Sequence, residues 1–269
     1  MPSVESKRHD NYDNLIYLKP RLQARDLLDY PLEYGLSKLA KIETDGTEAN
    51  IPQKGKLVIA YMPHTGFEPP FLEGSLLRRR KSPAVWVTKE ESRELPKVIL
   101  SPRRIVYVKR ENPGPSTRRA IDRVLKTPNG TIGSALEGTR YSNPEIIDDV
   151  LTLGEAQTGL MRIAYESHTR IMGVAVLGPE NILPGLDDIV KNESKTKALK
   201  LIAHALAHPK EVRVRFLPPY EGHLDEAGFG LKGEKKREFI EEHNKRFTGQ
   251  LVEEILKLEP DYPLGYYRK

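Results

Sequence analysis

Short apolar runs recur along this chain, and between them lie longer stretches in which apolar positions return every three or four residues. Leu57-Val58-Ile59-Ala60, Ala84-Val85-Trp86-Val87, Ile105-Val106-Tyr107-Val108, Thr131 to Leu136 and Ile171 to Leu177 are rich in β-branched and aromatic residues, as buried strands are. Val212 to Leu217 alternates polar and apolar residues and is expected to be an edge strand. Phe71 to Arg80, Thr117 to Lys126, Ala156 to Ser167, Lys195 to Ala207 and Glu234 to Leu258 carry helical spacing, and the last should bury Phe239, Phe247, Leu251 and Ile255. Strands alternating with helices predict an α/β fold, a mostly parallel central sheet flanked by helices.

Upstream the pattern changes. Residues 1 to 12 read as a polar tail, and Asn14 to about Ile42 reads helical, cut by Pro20 and Pro31. Leu28, Leu32, Leu36 and Leu39 form a stripe that fits two partners equally, the main domain or a membrane surface. Glu43 to Asn50 is polar and contains glycine, so it is expected to connect to the first strand. The division is therefore an N-terminal tail and helical segment over 1–50, with a membrane-facing option, and a domain over 51–269.

Composition narrows the chemistry. The 269 residues have no cysteine, which removes disulfides, thiolate nucleophiles and cysteine-bound metal. A formal charge of +5 favours an anionic partner. No apolar run approaches the roughly 18 to 20 residues that cross a bilayer. Met1 to Asp10 lacks an apolar core of the secretory type, so cytoplasmic residence is expected.

One stretch concentrates the candidate chemistry. Tyr61-Met62-Pro63-His64-Thr65-Gly66-Phe67-Glu68-Pro69-Pro70 runs from the end of a strand into a helix, the mouth of an α/β sheet where such folds place their chemistry. With Glu68 in the first helical turn, its carboxylate lies about one turn from His64 and can hold the imidazole as a general base. The plainer reading of the pair is a helix N-terminus carrying a favourable acid. Three further stretches follow in order: Ile105-Val106-Tyr107-Val108-Lys109-Arg110, then Ala135-Leu136-Glu137-Gly138-Thr139-Arg140-Tyr141-Ser142, then Ile171-Met172-Gly173-Val174-Ala175-Val176-Leu177-Gly178.

This ordered set resembles the glycerolipid acyltransferase family, whose best-known members are the 1-acylglycerol-3-phosphate (lysophosphatidic acid) acyltransferases. Glu137-Gly138-Thr139-Arg140 matches that family's Glu-Gly-Thr-Arg outright, and Tyr107-Val108-Lys109-Arg110 matches its aromatic, apolar and arginine positions. Thr88-Lys89-Glu90-Glu91 resembles its lysine-bearing segment. The resemblance spans roughly residues 55 to 220. Two departures stand out: the family separates its His and Asp by four residues, whereas three separate His64 from Glu68, and Gly173 stands where the family usually has proline.

The resemblance implies a glycerol-3-phosphate acyltransferase-like fold and direct acyl transfer. His64 would be the base and Glu68 its orienting acid. Lys89, Arg110 and Arg140 would receive the acceptor's phosphate, while Glu137, Gly138 and Thr139 would shape the acceptor site. It implies no cofactor, since acyl-CoA or acyl-carrier protein is the donor substrate. The partners would be a lysophospholipid, most directly 1-acylglycerol-3-phosphate, that thioester donor and an anionic membrane surface, with peripheral attachment to the inner face of the membrane. Two alternatives stand beside it: a different acceptor, such as glycerol 3-phosphate or another amphiphile, and a noncatalytic lipid-binding relative.

Arg78, Arg79, Arg80 and Lys81 could each add about 1 kcal/mol against anionic lipid, or simply form a solvated helix end. His204 and His208 have the spacing of a zinc pair without a third ligand and read as surface histidines. Ser134 and Ser142 lack a nucleophile elbow. Tyr107 fits the core better than a ligand role, Asn112 to Ser116 reads as a loop, and no nucleic-acid motif accompanies the charge.

Overall fold

The computed structural model describes residues 40–62, 68–89, 105–108, 115–137, 146–147, 150–151, 153, 155–179, 204 and 207–264, together with Tyr267. The leucine stripe and most of the helix expected over Lys195 to Ala207 lie outside the described residues.

The strands are β1 (Ala40–Glu43), β2 (Leu57–Met62), β3 (Val85–Lys89), β4 (Ile105–Val108), β5 (Thr131–Ala135), a small hairpin of β6 (Ile146–Ile147) and β7 (Val150–Leu151), β8 (Arg170–Leu177) and β9 (Lys210–Phe216). The helices are α1 (Glu68–Arg80), α2 (Pro115–Lys126), α3 (Gly159–Glu166) and α4 (Gly233–Leu258). Seven strands form one sheet in the order β1-β9-β8-β2-β5-β3-β4. From β8 to β4 all pairs are parallel; β9 runs antiparallel to β8, and β1 runs parallel to β9.

The predicted α/β class is therefore what the chain adopts, and alternation along each strand divides two cores. Leu57, Ile59 and Tyr61 of β2 face the side covered by Phe71, Leu72 and Leu76 of α1. Val58, Ala60 and Met62 face the opposite side, where α2 supplies Ile121, Val124 and Leu125, α3 supplies Leu160, Met161 and Ala164, and α4 supplies Ile240, Phe247, Leu251 and Ile255. Both faces of β2 are buried, which explains its unbroken apolar run.

Two boundaries correct the sequence reading. Ala40–Glu43 is a strand, not the end of a helix: it pairs residue for residue with Lys210 to Arg213. Ala40 and Ile42 turn toward the core, while Lys41 and Glu43 form an ion pair at 2.6 Å. Edge pairing to a distant strand overrides local helix propensity here, and it moves β9 from the edge to the interior. Helix α1 begins at Glu68, ahead of Pro69 and Pro70, because the first-turn amides have no intrahelical acceptor and their absence costs nothing. By the same logic Pro115 and Ser116, read as loop, open α2. Phe239 of α4 is partly buried rather than buried.

The basic residues closing α1 divide: Arg78 and Lys81 are exposed, whereas Arg80 is enclosed. Arg80 is 4% exposed. Its guanidinium donates to Thr131 Oγ1 at 3.1 Å, to Asn129 O at 3.4 Å, and to the carbonyls of Pro52 and Gly55. Arg78 pairs with Glu48 at 2.5 Å and Arg79 donates to the Ala49 carbonyl at 3.3 Å. Lys81, exposed and left-handed at φ 53, ends the helix. These contacts lie at the N-terminal ends of β2 and β5, where Leu57 N donates to Gly130 O at 3.0 Å. Over the 13 residues of α1, a rise of about 1.5 Å each places them roughly 20 Å from Glu68.

Gly173 also has a packing role. A Cβ there would lie 3.4 Å from Leu217 Cδ2 and from Phe247 Cζ, so the glycine lets α4 settle close against β8.

Candidate active site

Because β2, β5, β3 and β4 are adjacent and parallel, Met62, Ala135, Lys89 and Val108 all end on one edge of the sheet. The motif-bearing segments leave the sheet from these four strand ends. His64, Arg110, Gly138, Thr139 and Arg140 themselves lie outside the described residues, and Lys89 is described only as the last residue of β3. Glu68 and Glu137 are described fully, and both are buried.

Glu68 opens α1, as the sequence required for a base-orienting acid, and is completely buried. Its carboxylate stands at the positive end of the helix dipole. Glu137 is reached from the other side. Leu136 N donates to Tyr61 O at 2.9 Å, extending the β2–β5 ladder one residue past Ala135, and Gln157 N closes the turn onto Leu136 O at 2.9 Å. Ala135 packs on the α1 side and Leu136 on the other, so alternation returns Glu137 to the α1 side, where it is 5% exposed.

Between the two acids stands Tyr61, paired in register with Ala135 and 4% exposed. Burial pushes its phenol well above the ordinary tyrosine value, and the Glu68 and Glu137 carboxylates push it further, with the Ala135 backbone opposing in part. The hydroxyl therefore keeps its proton, and acids from two separate motifs act on it electrostatically. Tyr61 had appeared only as the last residue of an apolar run, where a tyrosine looks like any core aromatic.

A third buried acid braces this region from beneath. Glu73 Oε2 accepts from Trp86 Nε1 at 3.0 Å and Glu73 Oε1 from Ala84 N at 3.2 Å. Trp86 meets Tyr61 edge-on with ring centroids 6.0 Å apart, and it lies over Gly133, where a Cβ would come within 2.3 Å of the indole. Sequence reasoning missed Glu73; its one signal was an acid beside Leu72 and Leu76 on the apolar side of a helix. Tyr107 is buried in the core, as expected, and Ser134 donates to the Val87 carbonyl at 2.8 Å, a structural bond.

No group of three or more potential metal ligands occurs among the described residues. His204 and His208 are exposed, with ring centroids 4.8 Å apart. A cavity of about 230 Å³ opens between α3 and α4, lined by Arg162, Glu166, Lys236 and Arg237 among others; it lies on the far face of the sheet from Glu68. Of its two acids, Glu166 is already engaged, accepting from Lys236 at 2.6 Å and pairing with Arg118.

Two buried histidines at the start of β8 give an expected pH effect on stability. Tyr220 Oη lies 2.6 Å from His243 Nδ1, and His223 Nε2 lies 2.8 Å from Thr169 O. Burial pushes both imidazoles below the ordinary histidine value. The unfolded chain thus binds protons that the folded chain refuses, so this stabilisation is complete above about pH 6.5 and is lost as pH falls below it. The melting temperature should decline across that window, and less steeply in the double variant His223→Gln, His243→Gln. An equal decline in the variant would assign the effect elsewhere.

No protein-family model and no curated protein matches the chain. Among solved structures, the chain is similar to the 1-acyl-sn-glycerophosphate (LPA) acyltransferase PlsC from Thermotoga maritima, at 18% identity and a TM-score of 0.48, over 85% of this chain and 81% of that one.

Proposed function

We propose that this chain is an O-acyltransferase that moves a fatty acyl group from acyl-CoA or acyl-carrier protein to a hydroxyl of a lysophospholipid, specifically 1-acylglycerol-3-phosphate. The observation that carries the proposal is that Glu68 and Glu137, acids from two separate motifs, are both buried and both act on the Tyr61 phenol, at the edge of the sheet where β2, β5, β3 and β4 end.

In this reading His64 takes the proton of the acceptor hydroxyl as its oxygen attacks the thioester carbonyl. Glu68 holds the imidazole in the required tautomer and stabilises the imidazolium. Collapse of the tetrahedral intermediate breaks the carbon–sulfur bond, and the thiol leaves with the proton returned from His64. Arg110 and Arg140 offer forked contacts to the acceptor phosphate and Lys89 a point charge. Glu137, with the backbone of Gly138 and Thr139, shapes the acceptor site. No cofactor is needed beyond the donor thioester.

Among the described residues no helix is long and apolar enough to cross a membrane. In this reading the enzyme sits on the inner membrane face, held through its lipid substrates, with the leucine stripe ahead of β1 as a candidate contact.

The test is a panel of acceptors, with 1-acylglycerol-3-phosphate, glycerol 3-phosphate and a neutral lysolipid each offered labelled acyl-CoA or acyl-carrier protein. Preferential labelling of 1-acylglycerol-3-phosphate supports the reading, and labelling of another acceptor reassigns the substrate. Binding of lysolipid without transfer would leave the noncatalytic relative.

A further inference from the structure

The cavity between α3 and α4 carries charge that acyl transfer at the other face of the sheet does not use. Arg162 and Glu166 of α3 line one wall, and Lys236, Arg237 and Glu241 of α4 line the other. Glu166 is spent within the protein: it accepts from Lys236 at 2.6 Å and pairs with Arg118 of α2, so one carboxylate ties three helices together and still leaves that trio positive. The Arg162 and Arg237 guanidiniums, one from each wall, are exposed and have no ion pair or side-chain hydrogen bond among the described residues. Glu241 is exposed and unpaired as well, although it stands one helical turn from Arg237. Free cations therefore outnumber free acids, and the cavity is positive. Its walls are set by core packing, because Met161 beside Arg162 is buried, as is Ile240 one turn on from Lys236 and Arg237.

We propose that this cavity is a second ligand site, taking a small phosphate monoester between the Arg162 and Arg237 guanidiniums. A planar guanidinium offers two parallel N–H donors that match a pair of phosphate oxygens, and arginines on facing helices can grip one phosphate from both sides. At about 230 Å³ the space falls below the roughly 300 to 1,000 Å³ of pockets for drug-sized molecules, so it suits a ligand of few atoms. Glu241 selects among such ligands. Its carboxylate repels a bare phosphate dianion but accepts a hydrogen bond from an alcohol hydroxyl beside the phosphate, which favours a phosphorylated polyol over inorganic phosphate. A free metabolite and a lipid headgroup both offer that chemistry. The site is separate from the candidate active site, because α3 and α4 cover one face of the sheet and α1, which begins at Glu68, covers the other.

The experiment titrates the full chain with inorganic phosphate and with glycerol 3-phosphate at constant ionic strength, following the arginine Nε–H NMR signals. Those of Arg162 and Arg237 are assigned by their loss in Arg162→Gln and Arg237→Gln. Both should shift saturably, glycerol 3-phosphate at the lower concentration, and each substitution should weaken binding about 3- to 10-fold. Arg119→Gln, exposed on α2 and outside the lining, should leave binding unchanged. A ligand that clamps two helices of the folded state raises the melting temperature, and the double variant Arg162→Gln, Arg237→Gln should lose that rise. Vesicles of phosphatidic acid, compared with phosphatidylcholine, separate the two sources. Retention that falls in the double variant assigns a lipid headgroup; retention that holds, while the soluble ligands no longer bind, assigns a free metabolite. Equal affinity for the two soluble ligands would strike Glu241 from the site. Arg162 and Arg237 signals that stay still with both ligands, together with vesicle retention indifferent to the double variant, would overturn the proposal, as would a shift that sodium chloride reproduces. None of these measurements reads acyl transfer, so the outcome is independent of that activity.

Discussion

His64→Ala is expected to lower kcat for acyl transfer by about 10²- to 10⁴-fold, the contribution of a positioned general base. Binding of the acceptor phosphate draws on other groups, so KM should change far less. Glu68→Gln should fall in a similar range. The amide keeps the shape of a buried side chain but offers the imidazole an N–H as readily as an oxygen, and the wrong tautomer then competes. Since the two residues act as one unit, the double variant should lose no more than the worse single one. Glu68→Asp is informative because only three residues separate it from His64 and α1 begins at Glu68 itself. If the longer side chain supplies the reach, aspartate should also be impaired. Initial rates with labelled thioester measure all four variants. Undiminished turnover by His64→Ala would remove the imidazole from the mechanism.

Arg80→Met is expected to destabilise the fold by about 1 to 3 kcal/mol, the scale on which hydrogen-bond partners left unmet are felt. The guanidinium binds two loops and the start of β5 at once, through Pro52, Gly55, Asn129 and Thr131. Methionine fills much of the volume but leaves three part-buried carbonyls without this donor. Burial lowers the Arg80 pKa to about 10, so the guanidinium stays charged at neutral pH. Arg80→Lys should lie between, because an ammonium cannot reproduce the planar fork. Chemical denaturation followed by circular dichroism measures both. The effect should be confined to stability, since these contacts sit at the opposite edge of the sheet from Glu68; a large kcat loss in folded Arg80→Met would contradict that separation.

The contrast between these residues shows what a linear reading could and could not extract. Glu68 and Glu137 were legible because each stands in a local pattern, an acid after a strand-to-helix histidine and an acid opening Glu-Gly-Thr-Arg. Strands β2, β4 and β8 were legible because two-sided burial leaves unbroken apolar runs. Arg80 gave no such sign, since an arginine in the last turn of a helix ordinarily faces water, and only the return of two loops beneath α1 encloses it. Tyr61 was hidden for the opposite reason: its apolar surroundings are real, and only the neighbouring strand and the head of α1 bring two buried acids near enough to raise its phenol pKa. The β1 strand was misread because its sole strand partner lies far along the chain.

That last pairing sets an order of events during synthesis. The partner of Ala40–Glu43 is Lys210 to Arg213, which leaves the ribosome only after the intervening chain, a wait of roughly 10 to 30 s at about 5 to 20 residues per second. Until then the segment has no neighbour to complete its ladder. Lys41 and Glu43 place charge on the waiting ribbon and discourage it from joining another nascent copy. This strand is thus made well before the partner that houses it.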